Sequence, residues 1–246
     1  MGFFEQAMIK KLLQRAGLRC FGPGSVPKGV DLFHDINRFG YGKHVRTVVD
    51  IGANVGDFAN AARRAFSVER MICVEPSAGN FGLLARGAGP EVECIHAAAG
   101  SEAGTARLYL HEDRNTFHST TLIGQGKGAF EEIRVTTVDE IALRNFPGGI
   151  DLLKTDTEGG DLDVLRGAEN IFSRHGVFLV VSEVGFDVSD RRHSHWNGVW
   201  ELLTHHGFGL VGFYDQGFFG GWSRLDFANA LFINKTLAAE RLGDLS

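Results

Sequence analysis

From residue 47 onward the chain alternates short apolar runs with stretches of helical periodicity, the pattern that builds a parallel sheet covered on both faces. The fold class is therefore α/β. Residues 47–51 (TVVDI) read as a β-branched strand stopped by Gly52, and residues 57–66 follow as a helix rich in alanine and arginine. Residues 70–74 (RMICV) end at Glu75-Pro76, because proline cannot continue a central strand. Residues 92–96 predict a third strand, and 106–110 and 132–138 predict added strands around a polar, glycine-bearing stretch. Residues 150–154 (IDLLK) lead into Thr155-Asp156, and Gly159-Gly160 opens a helix whose apolar positions are Leu162, Val164, Leu165 and Ala168. Another strand, 177–182 (VFLVVS), stops at Glu183. Trp196, Val199, Trp200 and Leu203 recur at helical spacing and read as core contacts. Residues 208–213 and 230–233 predict a late hairpin, joined by a glycine-rich loop over 214–222 whose aromatics Phe218, Phe219 and Trp222 could cover a substrate.

Residues 1–46 predict an N-terminal helical extension ahead of a single domain over 47–246. Phe4, Met8 and Leu12 fall on one helical face with Lys10, Lys11 and Arg15 elsewhere, an amphipathic stripe rather than a signal segment. Such a face packs on its own domain or pairs two copies into a homo-oligomer. No run approaches the ~18 to 20 apolar residues that span a bilayer.

Composition adds four constraints. Apolar residues at 43% and charged residues at 22% are ordinary globular values. Glycine, 33 of 246, is about twice its usual ~7%, which signals tight turns or loops that face a ligand. The net charge of −5 gives no field toward phosphate backbones or anionic lipid, so nucleic acid is disfavoured as a partner. Cys20, Cys73 and Cys94 are odd in number and never spaced C-x-x-C, which fits a reducing, cytoplasmic setting.

Candidate chemistry begins at the turn after the first strand, the usual ligand contact of a doubly wound sheet. That turn is D-I-G-A-N-V-G, residues 50–56. Gly52 lets backbone approach a ligand and Gly56 lets the helix pack closely, but Asn54 stands where a dinucleotide fingerprint needs its middle glycine. Asp50 would repel a pyrophosphate and suit a cationic amino acid moiety such as that of S-adenosylmethionine (SAM). Glu75, 25 residues later at the second strand's end, can accept both ribose hydroxyls of an adenosine, a role that NAD would share. A second site is K-T-D-T-E-G at 154–159, whose Asp156 and Glu158 would point the same way if the chain stays extended, or one of which could cap the following helix.

These segments resemble the FkbM-type methyltransferases, class I SAM-dependent enzymes that mostly O-methylate sugars and natural-product hydroxyls. The resemblance rests on VVDIGANVGDF, VEPSAGNFGLL, RVTTVDE and, most specifically, IDLLKTDTEGGDLDVLRGAENIF. Gly160 and Asp161 depart from the usual Ala and Glu of that last motif and leave the carboxylate pair intact. The resemblance covers roughly residues 47–233. It implies a Rossmann-like, mostly parallel seven-stranded sheet with a late antiparallel hairpin. It implies SAM held by Asp50, Gly52, Ala53, Asn54, Gly56, Glu75 and Pro76, with Asp156 near the sulfonium or the acceptor and S-adenosylhomocysteine (SAH) as product. The acceptor would be a small molecule.

A hydroxyl acceptor must lose a proton, and an ordinary carboxylate is a weak base for that. Asp156 or Glu158 would need a raised pKa, a histidine partner or a metal ion. His118, in N-T-F-H-S-T-T, is the preferred histidine. A magnesium-like ion on Asp156, Glu158 and Glu183 is a less favoured route. His193-Ser-His195 and His205-His206 complete no metal set, and Arg191, Arg192 and His193 form a small basic cluster that could meet an anionic substrate or simply be solvated. The rival readings are a NAD-dependent oxidoreductase, an RNA 2′-O-methyltransferase and a non-catalytic SAM-binding module.

Overall fold

A computed structural model of the chain describes residue 13 and residues 21–111, 120–123, 130–190, 192–219 and 224–243. The expected stripe of Phe4, Met8 and Leu12, and His118, lie outside the described residues.

In chain order the elements are α1 (Leu32–Arg38), β1 (Thr47–Ile51), α2 (Asp57–Ala65), β2 (Arg70–Glu75), α3 (Ala78–Gly87), β3 (Val92–His96), β4 (Ala98–Ala99), β5 (Gly104–His111), β6 (Thr120–Ile123) and β7 (Phe130–Thr136). They continue with α4 (Val138–Asn145), β8 (Ile150–Thr155), α5 (Asp161–Arg166), α6 (Glu169–Ser173), β9 (Val177–Gly185), α7 (Trp196–His205), β10 (Phe208–Phe219), β11 (Arg224–Asn234) and α8 (Lys235–Leu242). The main sheet has seven strands in the order β10-β11-β9-β8-β1-β2-β3. Its five strands from β9 to β3 are parallel, and β11 runs antiparallel to both β9 and β10. The strand order reverses between β8 and β1, which creates the crevice where open α/β sheets bind ligands. A second sheet, β4-β7-β5-β6, sits beyond β3.

Each central strand is buried on both faces, which is why its sequence reads as a continuous apolar run. Val49, Ile51, Ile72, Val74, Leu153 and Val180 face α4, α5 and α7. Val48, Met71, Cys73, Leu152, Leu179 and Val181 face α1, α2 and α8. At about 1.5–3 kcal/mol for each large apolar side chain, these two layers are the main source of stability. The N-terminal residues that are described join the second layer: Leu32 and Ile36 of α1 pack there, and the buried Asp35 carboxylate accepts hydrogen bonds from Gly29 N–H (2.8 Å) and Tyr214 O–H (3.1 Å). Of the expected core stripe Val199 and Leu203 are buried and Trp196 is partly buried, stacked on Phe232 at 5.8 Å and edge-on to Phe213 at 5.0 Å, whereas Trp200 is exposed.

Several expected boundaries are corrected: β9 runs on through Glu183 to Gly185, and β11 begins at Arg224 rather than 230. Strand β7 stops at Thr136, not 138, because Thr137 caps α4 by accepting the Glu140 N–H at 3.1 Å. The loop expected over 214–222 is strand as far as Phe219, since irregular register between Leu210 and Phe218 carries β10 past its polar Asp215-Gln216 step. Gly217 is needed there because a Cβ would collide with the Phe227 ring opposite.

Candidate active site

A cleft of about 490 Å³ opens at the carboxyl ends of β1, β2 and β8, within the range of small-molecule sites. Ile51, Gly52, Ala53, Asn54, Glu75 and Pro76 line one end, Lys154, Asp156 and Glu158 the other, and Asp215 and Asn229 of the hairpin form a rim. Phe33 of α1 and Phe58 of α2, 5.4 Å apart, add an aromatic wall, and Ala97–Ala99 add a small-residue wall.

The turn after β1 is folded by its own backbone. The N–H groups of Gly52 and Ala53 both donate to the Val74 carbonyl, at 2.9 and 3.0 Å. Gly52, Asn54 and Gly56 take left-handed conformations, φ +75°, +50° and +96°. Asparagine tolerates that region better than most side chains, so Asn54 replaces a glycine without large strain. Gly52 has a different reason from the one its sequence suggests: a Cβ there would strike the Asp156 carbonyl, so it admits the neighbouring loop rather than a ligand. Gly56 packs against Leu84 and does not line the cleft. Glu75 is nearly buried and accepts the N–H groups of Asn54 (2.9 Å) and Ser77 (2.8 Å), which leaves each oxygen a further acceptor position. Burial raises its pKa, and the two backbone donors work against that rise.

Asp50 does not line the cleft either. It is fully buried, and its register partner Lys154 reaches it at 3.5 Å and Asp156 at 3.1 Å. Burial opposes the Lys154 charge, but the Asp50 and Asp156 carboxylates outweigh it and hold the ammonium above the ordinary lysine range. Lys154, a charged side chain at the end of an otherwise apolar strand, thus joins the candidate site residues through these two ion pairs.

Beyond β8 the chain does not stay extended. Glu158 adopts φ +53°, yet Asp156 and Glu158 both reach the cleft. Neither caps α5. Its first turn is instead tied by Ser194, whose hydroxyl accepts the Leu162 N–H (3.0 Å) and donates to the Gly159 carbonyl (2.9 Å), while Asp161 accepts the Thr157 N–H (3.1 Å). Burial and then the Asp156 charge push Asp161 up to about 6 and raise Glu158. Burial followed by the charges of Asp156, Asp161 and Glu158 pushes Glu183 up to about 9. Among the described residues, no group of three or more His, Cys, Asp and Glu side chains converges as a metal site requires. The basic cluster around 192 is internally neutralised: Arg192 reaches Asp190 (3.4 Å) and Asp226 (3.5 Å), and His193 is buried beside Asp190.

The cleft fits a cationic nucleoside better than a dinucleotide. Among the described residues its lining holds the carboxylates Asp57, Glu75, Asp156, Glu158 and Asp215 and the cation Lys154, which two carboxylates already neutralise. Those described residues offer a pyrophosphate no unpaired positive group, whereas a sulfonium would meet a negative field.

The methyltransferase FkbM domain matches residues 50–210, roughly two thirds of the chain. Methyltransferase sdnD of Sordaria araneosa is 24% identical over 155 residues, covering 50% of this chain and 60% of that protein, so the chain spans less than two thirds of this curated relative. Among solved structures, Methyltransferase FkbM from Methylobacillus flagellatus KT aligns over 78% of this chain and 44% of its own, with TM-score 0.47 and 16% identity. TrmK of M. capricolum, solved with S-adenosyl-homocysteine, aligns over 82% of this chain and 67% of its own, with TM-score 0.46 and 7% identity. With the motif set, the sheet order and the family match agreeing over the same residues, the chain belongs to the FkbM methyltransferase family.

Proposed function

We propose that the cleft binds SAM and that the chain methylates a hydroxyl of a sugar or specialised metabolite. The observation that carries this reading is the pair of carboxylates Asp156 and Glu158 at one end of the cleft, with Lys154 bridging Asp156 to Asp50, across from Glu75 at the other. Bound SAM supplies an electrophilic methyl group whose bonding pair leaves with sulfur as SAH. The chain's own residues orient and deprotonate. Glu75, braced by Asn54 and Ser77, offers its spare acceptor positions to the ribose hydroxyls. Asn54, Ala53 and Pro76 shape the nucleoside end, while Asp156, fixed by Lys154, and Glu158 face the acceptor. Holding both partners in line supplies much of the acceleration. Asp50 and Gly52 act indirectly, the first by charging Lys154 and the second by admitting the 156 loop.

The test is transfer of radiolabelled methyl from SAM to a panel of free and glycosidic sugars, hydroxylated polyketides and total RNA. Label in an alkali-stable ether of a sugar or polyketide is the expected result. Label confined to RNA overturns the acceptor class, and label in none of them, with SAM bound, favours a binding module.

A further inference from the structure

Of the described residues that line the cleft, Phe33, Asp215 and Asn229 fall outside residues 50–210, the span of the family match. The cofactor turn and the Lys154–Asp156 pair fall inside it. Residues outside the shared span are the natural place for a feature that selects this chain's own acceptor.

These residues come from two segments far apart in sequence that are fastened together. Gly29 N–H and Tyr214 O–H both donate to the buried Asp35 carboxylate, at 2.8 and 3.1 Å, which clamps the start of α1 to β10 one residue before Asp215. Gly29 comes so near that a Cβ there would lie 3.2 Å from the Phe213 carbonyl. The clamp seats Phe33, two residues from Asp35, against Phe58 and Phe66, with ring centroids 5.4 and 5.7 Å away. Phe58 carries this aromatic surface to Lys154, whose Nζ lies 5.5 Å from its ring centre, and so to the Lys154–Asp156 pair.

The hairpin supplies the polar part. Asn229 stands in register with Tyr214 and donates its amide N–H to Asp215 Oδ2 at 3.1 Å. Asp215 takes φ +47° where the register is irregular between Tyr214 and Gly217, and it is exposed at the rim. Its Oδ1 has no hydrogen-bond partner among the described residues. A carboxylate only accepts, so its two oxygens match the donors of two adjacent hydroxyls, Oδ2 keeping a second lone pair beside the Asn229 bond. An aromatic wall with a few convergent polar groups is how small-molecule sites fix orientation. Aromatic rings take an apolar C–H face, and the carboxylate takes the polar edge.

We propose that Phe33, Phe58, Asp215 and Asn229 form an acceptor-selecting wall for a saturated six-membered ring with two adjacent hydroxyls. The proposal rests on reading the cleft as a methyl-transfer site. The C–H face of the ring lies on Phe33 and Phe58, its diol is held by Asp215, and the hydroxyl to be methylated turns toward Asp156. Asn229 holds one Asp215 oxygen in place so that both meet the diol. A ring with one hydroxyl leaves part of this site unused, and a site built to bond a hydroxyl discriminates against the analogue that lacks it. Pyranose sugars and hydroxylated carbocycles share this chemistry.

The test is saturation-transfer NMR on the SAH-loaded protein, with calorimetric SAH binding beside it. The probes are the methyl pyranosides of glucose, galactose and mannose, cis-cyclohexane-1,2-diol, and cyclohexanol as the single-hydroxyl control. Saturation of ring C–H protons is expected for at least one diol-bearing probe and not for cyclohexanol. A response from pyranosides alone marks a sugar as the source, and a response from the cyclohexanediol as well marks the ring chemistry common to both. Asp215→Asn keeps the side-chain shape and suits a left-handed backbone, so it should fold. It should weaken the bound probe at least about tenfold, and Phe33→Leu about threefold to tenfold, with SAH affinity within about twofold in both. Probe binding unchanged in Asp215→Asn or in Phe33→Leu, cyclohexanol bound as well as the diols, or no probe bound by SAH-loaded wild type overturns the proposal. Loss of SAH affinity in step with the probe also overturns it, since the wall would then serve the cofactor. Failure of wild type to bind SAH would instead overturn the methyltransferase reading itself.

Discussion

The two ends of the cleft floor hold their polar groups in opposite ways. At the β1–β2 end, backbone amides do the work: Gly52 and Ala53 bond Val74, and Asn54 and Ser77 bond Glu75. At the β8–β9 end the work falls to side-chain charge, with Asp50, Asp156, Glu158, Asp161 and Glu183 gathered around Lys154. Backbone amides do not titrate, so the pH response of the first end falls to Glu75, which burial raises and its two backbone donors hold back. The second has more carboxylates than cations and must hold protons to stay compact. One end suits a ligand that is only held, the other a partner that exchanges a proton.

The largest effect expected from breaking this contrast comes from Lys154→Met, which strands Asp50 as a buried, unpaired charge. A loss of about 3–5 kcal/mol in chemical denaturation is expected. The double variant Asp50→Asn with Lys154→Met should be more stable than the single one, and equal losses would mean that the pair is uncoupled. Next is Gly52→Ala, which combines left-handed strain with collision at the Asp156 carbonyl and should cost about 2–4 kcal/mol. A neutral result would detach the two ends from each other.

A third prediction concerns pH. Glu183 sits at about 9 in the folded chain against 4.5 ordinarily, so between those values the folded state binds the proton that the unfolded state has lost. Its contribution is full below about pH 4.5 and fades as pH rises toward 9, with a slope of at most about 1.4 kcal/mol per pH unit. Melting temperatures of Glu183→Gln across that window should be flatter than those of wild type. Parallel curves would show that Glu183 ionises normally. The smallest expected effect is Ser194→Ala, about 1 kcal/mol from the lost tie at the start of α5.

The contrast between the ends also explains what was legible in the sequence. β1 was read to the residue because a buried parallel strand is a continuous apolar run bounded by glycine or charge; the bounds of β3 were legible too, although this edge strand is only half-buried and carries Glu93 and His96. The Asp50–Gly56 turn and Glu75 were legible because their spacing is local. The roles of Asp50 and Gly52 were not, since both answer to the 154–156 segment, about a hundred residues away in sequence and adjacent only through β1–β8 pairing. His193 lay among arginines and resembled a solvated patch; its burial depends on Gly185, Gly217 and Phe227, which only the hairpin brings together. The extent of β10 was hidden by Asp215-Gln216-Gly217, a turn-like triplet that irregular register absorbs.

Calorimetric titration of the purified chain with SAM, SAH and NAD, repeated on Glu75→Gln, tests the reading of the cleft most directly. Saturable binding of SAM and SAH that weakens at least tenfold in Glu75→Gln, with no heat from NAD, is the expected result. Binding of NAD alone, or SAM binding indifferent to Glu75, would contradict it.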